Sequence, residues 1–366
     1  AVRRLPLARP VGKEIATIIE EFLDSNPETE KAIWASIGQP KNKARPPRQV
    51  LIDKCRLRIA DFLHVDLHDD TNLTELSCAL LEGWTKASGD PDLPLLKWLR
   101  FGAPAGIDHH PESVGIFPLS QEAPNGEFPL MSFEEGFANY ISMEESPHGE
   151  EVLGELVAKN YIKMFNTLEE AQAHVGSKDL TMNKLALITT EKEGVLKHRL
   201  ILDCRVSGAN SSTTKHERIL LPRIGDLIRD ALILKKMEGN GKKLHFLVID
   251  FEDAFYKVPL MRAEQKYFCV YYKNKWFVWS RVGQGSLNGP TLFGRLAALV
   301  GRLSQSLMDE KEGRLEIYCD DPVATILATD KRARRISCIL IVAWLCMGFG
   351  LSYHKGQFGD RVVWVG

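Results

Sequence analysis

Three aspartates stand where a metal-dependent enzyme would need them. Asp250 ends a short apolar run, and Asp320 and Asp321 are adjacent between two strand-like runs. Neighbouring carboxylates repel each other, and a divalent cation removes that cost. Two Mg²⁺ ions about 4 Å apart can activate an attacking hydroxyl and stabilise a leaving phosphate oxygen. Paired acids also occur in ordinary turns, so the neighbouring sequence must decide between the two interpretations.

The runs around these acids predict the elements that position them. Residues 245–250 predict a strand that ends in Asp250, and Pro290 marks the start of a helix over 291–308. Paired runs of aromatic and β-branched residues predict three β-hairpins, 185–189 with 198–203, 266–272 with 276–280, and 314–319 with 323–328. The third hairpin would carry Asp320 and Asp321 at its turn.

The rest of the chain is predicted to have a different character. Residues 1–100 are expected to form a helical N-terminal region, with apolar residues at helical spacing over 15–23, 50–63 and 73–81. Residues 101–150 contain nine acids and no Lys or Arg, which predicts an acidic, loop-rich connector. A helix is expected over 152–164. The apolar run 336–351 predicts a buried helix rather than a membrane segment, because it is short and interrupted by glycines.

The charge and the cysteines bound the function only loosely. Residues 1–150 carry 15 Lys+Arg against 24 Asp+Glu, so the remainder is mildly basic within a net charge of −1. That excess suits a polyanionic partner, and it also fits charges scattered over a solvated surface. The seven cysteines are dispersed and form no metal-ligand pattern, which fits a reducing compartment. The localisation is left open as intracellular, cytoplasmic or nuclear. The chain starts with Ala and stops after an apolar run, so a piece of a larger protein is expected.

Five segments resemble the successive motifs of reverse transcriptases, in the family's order and at similar spacing. They are KEGVLKHRLILDCRVSGAN, IDFEDAFYKVPL, VGQGSLNGPTLF, IYCDD and GFGLSYHKGQFGDRVVWVG. The first is similar to the family's fingers and the others to its palm, so the resemblance covers residues 150–366. The family often has Pro-x-Gly or Pro-Gln-Gly where this chain has Val282-Gly283-Gln284-Gly285, which leaves the geometry of that loop open.

The resemblance implies a role for each acid. Asp250, Asp320 and Asp321 match the catalytic triad that binds two Mg²⁺ ions, with Mn²⁺ as an alternative, and the backbone carbonyl of Phe251 would be a further metal ligand. Lys355 matches a lysine near the nucleotide phosphates, a candidate general acid for the leaving pyrophosphate. A plain surface lysine is the alternative for Lys355.

The resemblance also implies a dNTP-binding set. Lys192 and Arg199 match the fingers residues that clamp the triphosphate, with exposed surface residues as the alternative. Phe255 matches the aromatic ring that excludes a ribose 2′-hydroxyl, or it is a core residue. The remaining positions match the nucleotide pocket and the helix beside the new base pair; they are Asp253, Ala254 and Gln284. Asp253 could instead be a simple acid at a helix N-terminus.

The expected fold is α+β, a right-hand polymerase palm of antiparallel strands backed by helices, with fingers and a helical N-terminal region. Residues 151–366 would form the fingers and palm, truncated before the thumb. The implied function is template-directed DNA synthesis from dNTPs on RNA or DNA, within a retroelement polyprotein. The partners would be an RNA and DNA primer-template and no membrane, with RNase H and integrase or recombinase segments elsewhere. The alternatives are an RNA-dependent RNA polymerase, which Phe255 disfavours, and a non-catalytic nucleic-acid-binding relic.

Overall fold

A computed structural model describes residues 8–70, 73–120, 129–192 and 195–364, with only the backbone of Lys192 and Val195. The described chain combines α-helices with antiparallel sheets, as expected from the sequence. It divides into two compact units. The first comprises Ala1–Leu96, Leu220–Ala254 and Gly294–Gly366, and the second comprises Lys97–Ile219 and Phe255–Phe293.

The helices and strands follow the chain in this order. The α-helices are α1 (Ala8–Ser25), α2 (Pro27–Ser36), α3 (Gln49–Leu63), α4 (Cys78–Ala87), α5 (Pro94–Phe101), α6 (Ile141–Glu144), α7 (Gly149–Ala158), α8 (Leu168–Val175), α9 (Ile224–Lys235), α10 (Gly289–Ser306) and α11 (Asp330–Met347). The strands are β1 (Ile162–Phe165), β2 (Lys184–Lys192), β3 (Val195–Asp203), β4 (Lys243–Val248), β5 (Cys269–Tyr272), β6 (Lys275–Trp279), β7 (Gly313–Tyr318), β8 (Asp321–Ala328) and β9 (Gln357–Gly359).

A four-stranded antiparallel sheet forms the centre of the first unit, in the order β7-β8-β4-β9. Helix α9 packs on it, and the buried side chains of Leu227, Val248 and Val323 form a core cluster between helix and sheet. Strands β4 and β7 both pair antiparallel with β8, so their C-terminal ends lie at the same edge. We call this edge, beyond Val248 and Tyr318, the acid edge.

Helix α11 is buried over most of its length, and the N-terminal helices cover it. Residues from Ile336 to Met347 are buried apart from Leu345, and α1, α3 and α4 all pack against this helix. The helix begins at the Thr329 side chain, which accepts from the backbone of Arg332, and it ends at Gly348 in a left-handed conformation. No helix in the described ranges is long and apolar enough to cross a membrane.

Two buried ion pairs also connect the N-terminal segment to α10. Arg302 donates to both carboxylate oxygens of Asp90, at 2.6 and 2.9 Å. Arg295 pairs in the same way with Asp92, and both of these side chains are fully buried. A buried guanidinium requires such a partner, since an unpaired buried charge is strongly unfavourable.

The second unit holds a three-stranded antiparallel sheet, β1-β6-β5, and the separate hairpin of β2 and β3. Its acidic connector is fixed to Glu264, a fully buried carboxylate. The oxygens of Glu264 accept from the backbone N–H groups of Ala105, Ile107, Asp108 and His109 at 2.5–3.2 Å. The carboxylate thus satisfies four backbone donors of a loop that has no regular secondary structure.

The three predicted hairpins are confirmed, as are the helices at 15–23, 50–63 and 291–308 and the buried helix of the apolar run. Two predicted bounds were wrong. Helix α4 begins only at Cys78, because Asp70 binds Ser77 and the backbone of Ala79 and so fixes the chain before the helix. The helix expected over 152–164 ends at Ala158, because Asn160 is left-handed and the following residues pair with β6.

Candidate active site

Asp250 lies just beyond the end of β4, at the acid edge. The backbone N–H of Phe251 donates to the carbonyl of Asp320 at 2.9 Å, which joins this segment to the β7–β8 turn. Asp250 is 3% exposed, and its Oδ1 has no hydrogen-bond partner among the described residues. A buried carboxylate oxygen without a donor is a costly feature that a bound cation would relieve.

Asp320 and Asp321 lie at a two-residue turn between β7 and β8. Tyr318 pairs with Asp321, so Cys319 and Asp320 form the turn, and Cys319 adopts a left-handed conformation with φ of 53°. Burial raises the pKa of the Asp321 carboxyl, and the adjacent charge of Asp320 raises it further. Burial also raises the pKa of the Cys319 thiol, and the charges of Asp320 and Asp321 raise it further. Negative charge is therefore concentrated at this turn.

Lys355 lies against the first of the three aspartates. It ends a short 3₁₀ helix, Tyr353–Lys355, that follows Ser352, and Ser352 donates its backbone N–H to the carbonyl of Asp250 at 2.8 Å. This attachment brings the ammonium group of Lys355 onto Oδ2 of Asp250, where the two form an ion pair. The lysine side chain is half-exposed, whereas the carboxylate is buried.

The donor set fits a divalent cation in its chemistry, although its oxygens do not converge in this arrangement. Carboxylate oxygens are the ligands that Mg²⁺ prefers, and Asp250, Asp320 and Asp321 meet at one edge through backbone pairing. Within the described ranges, however, no three His, Cys, Asp or Glu side chains are grouped closely enough to hold an ion. Lys355 occupies one carboxylate of the three.

The residues after Asp250 differ in their surroundings. The ring of Phe251 is a core group, 4.5 Å from the ring of Phe349 and 5.5 Å from that of Trp344. Asp253 is exposed and left-handed, with φ of 51°, and the buried Ala254 begins the 3₁₀ helix Ala254–Lys257. The metal contact of the Phe251 carbonyl and the nucleotide contacts of Asp253 and Ala254 stay predictions.

The other predicted nucleotide contacts belong to the second unit. Arg199 is exposed on β3 opposite Ile188, while the side chain of Lys192, at the end of β2, lies outside the described residues. Phe255 is partly buried against Phe293, with ring centroids 5.3 Å apart. That contact suits both a sugar gate and a core residue, so the role of Phe255 stays a prediction.

Gln284 and Gly285 are held to the end of the β2–β3 hairpin. The carbonyl of Gln284 accepts from the Leu202 backbone, and a Cβ at Gly285 would lie 1.9 Å from the Leu202 carbonyl oxygen. With φ of 123° as well, position 285 requires glycine. Asn210 completes the joint, donating to the Gly285 carbonyl at 2.9 Å and accepting from the Leu287 backbone at 2.8 Å.

Sequence reasoning missed Asn210 and a neighbouring groove of about 490 Å³ that it lines with Tyr140 and Asp203. The Tyr140 hydroxyl donates to Asp203 at 2.6 Å. Burial acts to raise the pKa of Asp203, but hydrogen bonds from Tyr140 and from the backbone of Arg205 and Val206 lower it overall. Asp203 and Asn210 both lie in the segment that resembles the fingers. Their polar side chains stand among apolar residues there, and this contrast could have identified them in the sequence.

Sequence reasoning also missed Trp364, which supports the β7–β8 turn. Its indole N–H donates to the carbonyl of Asp321 at 3.0 Å, and its ring packs at the Leu227, Val248 and Val323 core. This hydrogen bond holds the backbone of one acid from outside the hairpin.

Comparison with known proteins identifies the part of the chain that carries these acids. Residues 190–366 match the family described as reverse transcriptase (RNA-dependent DNA polymerase). These residues belong to the reverse transcriptase family. The four-stranded sheet and its acid edge lie within these matched residues.

Individual relatives are distant. The Gag-Pro-Pol polyprotein of human T-cell leukemia virus 2 is 28% identical over 121 residues, which span 31% of this chain and 8% of the polyprotein. A foamy viral protease-reverse transcriptase in complex with double-stranded DNA has a TM-score of 0.46 at 17% identity, over 66% of this chain and 35% of that one. The native prototype foamy virus enzyme has a TM-score of 0.42 at 17% identity, over 65% and 27%. The chain therefore spans well under half of each of these proteins.

Proposed function

We propose that this chain synthesises DNA on an RNA or DNA template, as the fingers and palm of a retroelement reverse transcriptase. The observation that carries the proposal is the backbone pairing of Phe251 with Asp320, which brings Asp250 to the turn that holds Asp320 and Asp321. A second support is the buried Oδ1 of Asp250, which has no hydrogen-bond partner among the described residues, because such an oxygen can bind a cation at this edge.

In this proposal the three aspartates hold two Mg²⁺ ions, for which Mn²⁺ can substitute. When bound, the ions supply charge neutralisation at the primer 3′-hydroxyl and at the phosphates of the incoming nucleotide. Asp250 and the Asp320–Asp321 turn provide carboxylates, and the Phe251 carbonyl provides one further oxygen. Lys355 leaves Asp250 to donate a proton to the departing pyrophosphate.

The other residues select and orient the nucleotide. Arg199 and Lys192 bind the triphosphate, and a guanidinium can do so with two parallel hydrogen bonds. The ring of Phe255 excludes a ribose 2′-hydroxyl and so favours dNTPs over ribonucleotides. Asp253, Ala254 and Gln284 contact the nucleotide or the template base beside it.

The partners in this proposal are an RNA and DNA primer-template and dNTPs. The full-length protein carries RNase H and integrase or recombinase segments elsewhere, a part of the proposal that the similarity to a Gag-Pro-Pol polyprotein supports.

Primer extension tests the proposal directly. The protein is incubated with poly(rA)/oligo(dT) and Mg²⁺, with dTTP or UTP as substrate, and Asp320→Asn is the matched variant. Extension with dTTP alone, lost in the variant, is the expected result. Efficient use of UTP would overturn the DNA product and the role of Phe255. A folded protein that binds the primer-template without extending it would make the chain a binding protein instead.

A further inference from the structure

An exposed basic loop separates α2 from α3 in the N-terminal segment, outside the residues that match the family. We call residues 39–48 the basic loop. Five basic residues and no acidic residue occur between positions 31 and 52, and four of the five lie in this loop; they are Lys41, Lys43, Arg45 and Arg48. All four are exposed. The charge is therefore concentrated and unopposed in the local sequence.

The loop has a defined conformation, and one of its cations is used to maintain it. The backbone of Arg45 donates to the hydroxyl of the buried Ser36 at 3.0 Å. The guanidinium of Arg45 donates to the loop carbonyls of Asn42 and Ala44, at 3.1 and 2.9 Å. Pro40 accepts the backbone N–H groups that close the turn. Arg45 is thus an internal support of the loop.

The remaining cations are available to an external anion. No ion pair within the described ranges involves Lys41, Lys43 or Arg48. Each of these side chains is exposed to solvent. Three exposed cations on one ordered loop form a local positive potential that attracts a polyanion.

The basic loop is attached next to the acid edge at its start, and the helix that follows it is attached to α11. Before the loop, Gly38 donates its backbone N–H to the carbonyl of Tyr353 at 2.8 Å, two residues ahead of Lys355. After it, α3 is fixed to the C-terminal end of α11, where Arg56 donates to the carbonyl of Cys346 at 2.7 Å. The chain returns from that end of α11 to pair Leu351 with Phe251, beside Asp250.

We propose that the basic loop binds the phosphate backbone of the nucleic acid duplex on which the aspartates act. The inference rests on the proposed function and assigns a role to the N-terminal segment. Lys41, Lys43 and Arg48 would contact phosphates and not base edges, so this contribution is independent of sequence and sensitive to salt. The position of the loop beside the Tyr353–Lys355 segment puts these charges at the edge that holds the reacting end of the duplex.

A matched pair of triple variants tests the inference. The loop variant carries Lys41→Ala, Lys43→Ala and Arg48→Ala, and it retains Arg45 so that the loop keeps its internal hydrogen bonds. The control variant removes three exposed lysines at the opposite end of the four-stranded sheet, before β4 and β7 and after α9; they are Lys236, Lys242 and Lys311. Both variants lose three positive charges, so a difference between their affinities for nucleic acid depends on where the charges lie.

The readout is the binding of a fluorescein-labelled RNA/DNA hybrid without dNTPs, followed by anisotropy between about 50 and 200 mM KCl. Each lost phosphate contact reduces the slope of log K against log salt by about 0.9. The loop variant should therefore show a slope shallower by about 2 to 3 and an affinity weaker by about 10- to 100-fold at 0.1 M salt. The control variant should bind like the wild-type protein.

Several outcomes overturn the inference without touching the proposed function. Equal slopes for the loop variant and the wild-type protein, in an enzyme that extends primers, would show that the loop does not bind phosphate. Equal losses in both triple variants would show a general charge effect instead. Conversely, a wild-type protein that binds the hybrid through the loop but never extends a primer would overturn the proposed function and leave only the binding of phosphate by the loop.

Discussion

Replacing Lys355 by methionine should strengthen the binding of divalent cations to the aspartates. In the structure the Lys355 ammonium neutralises Asp250 and occupies the oxygen that a cation would need. A cation must displace this ammonium before it can use both oxygens of the carboxylate. Methionine keeps the length and packing of the side chain and removes the competing charge.

The magnitude follows from the exposure of the two groups. At an effective dielectric constant near 20, unit charges about 4 Å apart attract each other by about 4 kcal/mol. The lysine side chain is 50% exposed, so solvent and salt screen the pair, and such pairs are worth on the order of 1 kcal/mol. Because about 1.4 kcal/mol corresponds to a tenfold change in affinity, we expect the Kd for the cation to fall about 3- to 10-fold.

The assay is a titration with Mn²⁺, in which electron paramagnetic resonance counts the free ion in the absence of nucleic acid and nucleotide. This readout is independent of catalysis, so a role of Lys355 as a proton donor cannot confuse it. Lys355→Arg is the matched control, because it keeps the positive charge and should leave the Kd near that of the wild-type protein. Asp250→Asn should weaken binding and so verify that the titrated site includes this carboxylate. An unchanged or higher Kd in Lys355→Met would refute the competition between lysine and cation.

Three further variants test the architecture around the site. Arg302→Met should lower the free energy of unfolding, measured by urea denaturation, by about 3–5 kcal/mol, because the buried Asp90 loses its ion-pair partner. Adding Asp90→Leu should restore most of this loss, and equal losses in the single and double variants would contradict the explanation. Glu264→Gln should increase amide hydrogen exchange in residues 105–109, which lose an ionised acceptor, whereas unchanged protection would show that the loop is held by other contacts. Burial and the nearby carboxylate of Asp230 raise the pKa of Glu316 to about 7, so its stabilising protonation is present below about pH 4.5 and lost as the pH rises through 7. Glu316→Gln should therefore raise stability by up to about 3 kcal/mol at pH 8 and flatten its pH dependence, and a variant that is less stable at pH 8 would refute this assignment.

The strand and hairpin pattern of residues 185–328 was predictable because each element carries its own local signal. Alternating apolar residues and a polar turn are properties of a few neighbouring residues. The register of the third hairpin was not predicted, because Tyr318 pairs with Asp321 and the turn is Cys319 and Asp320, whereas the predicted strands left residues 320–322 between them. The bounds near Cys78 and Ala158 failed because they depend on tertiary contacts. Asp70 restrains the start of α4, and residues 162–165, which were expected to be helical, pair with β6 in a sheet.

The candidate site likewise has features that local sequence predicts and features that depend on tertiary contacts. The residue types and the order of the acids were visible in the sequence, whereas the partners of Asp250 were not. Lys355 follows Asp250 by 105 positions and reaches it only because Ser352 is hydrogen-bonded to the Asp250 backbone. Asn210 and Trp364 act through the backbone of other residues, so no pattern of residue types identifies them in advance.

The N-terminal segment shows most clearly what sequence patterns leave open. The apolar run of α11 resembles a membrane segment when read alone, yet α1, α3 and α4 pack against this helix. Arg295 and Arg302 of α10 are buried, and their partners Asp92 and Asp90 lie about 200 residues away in sequence. Removing the N-terminal segment would expose the apolar face of α11 and take Asp90 and Asp92 away from the two buried guanidinium groups. We therefore expect the four-stranded sheet to depend on residues 8–96 for its stability, although these residues contribute none of the three aspartates.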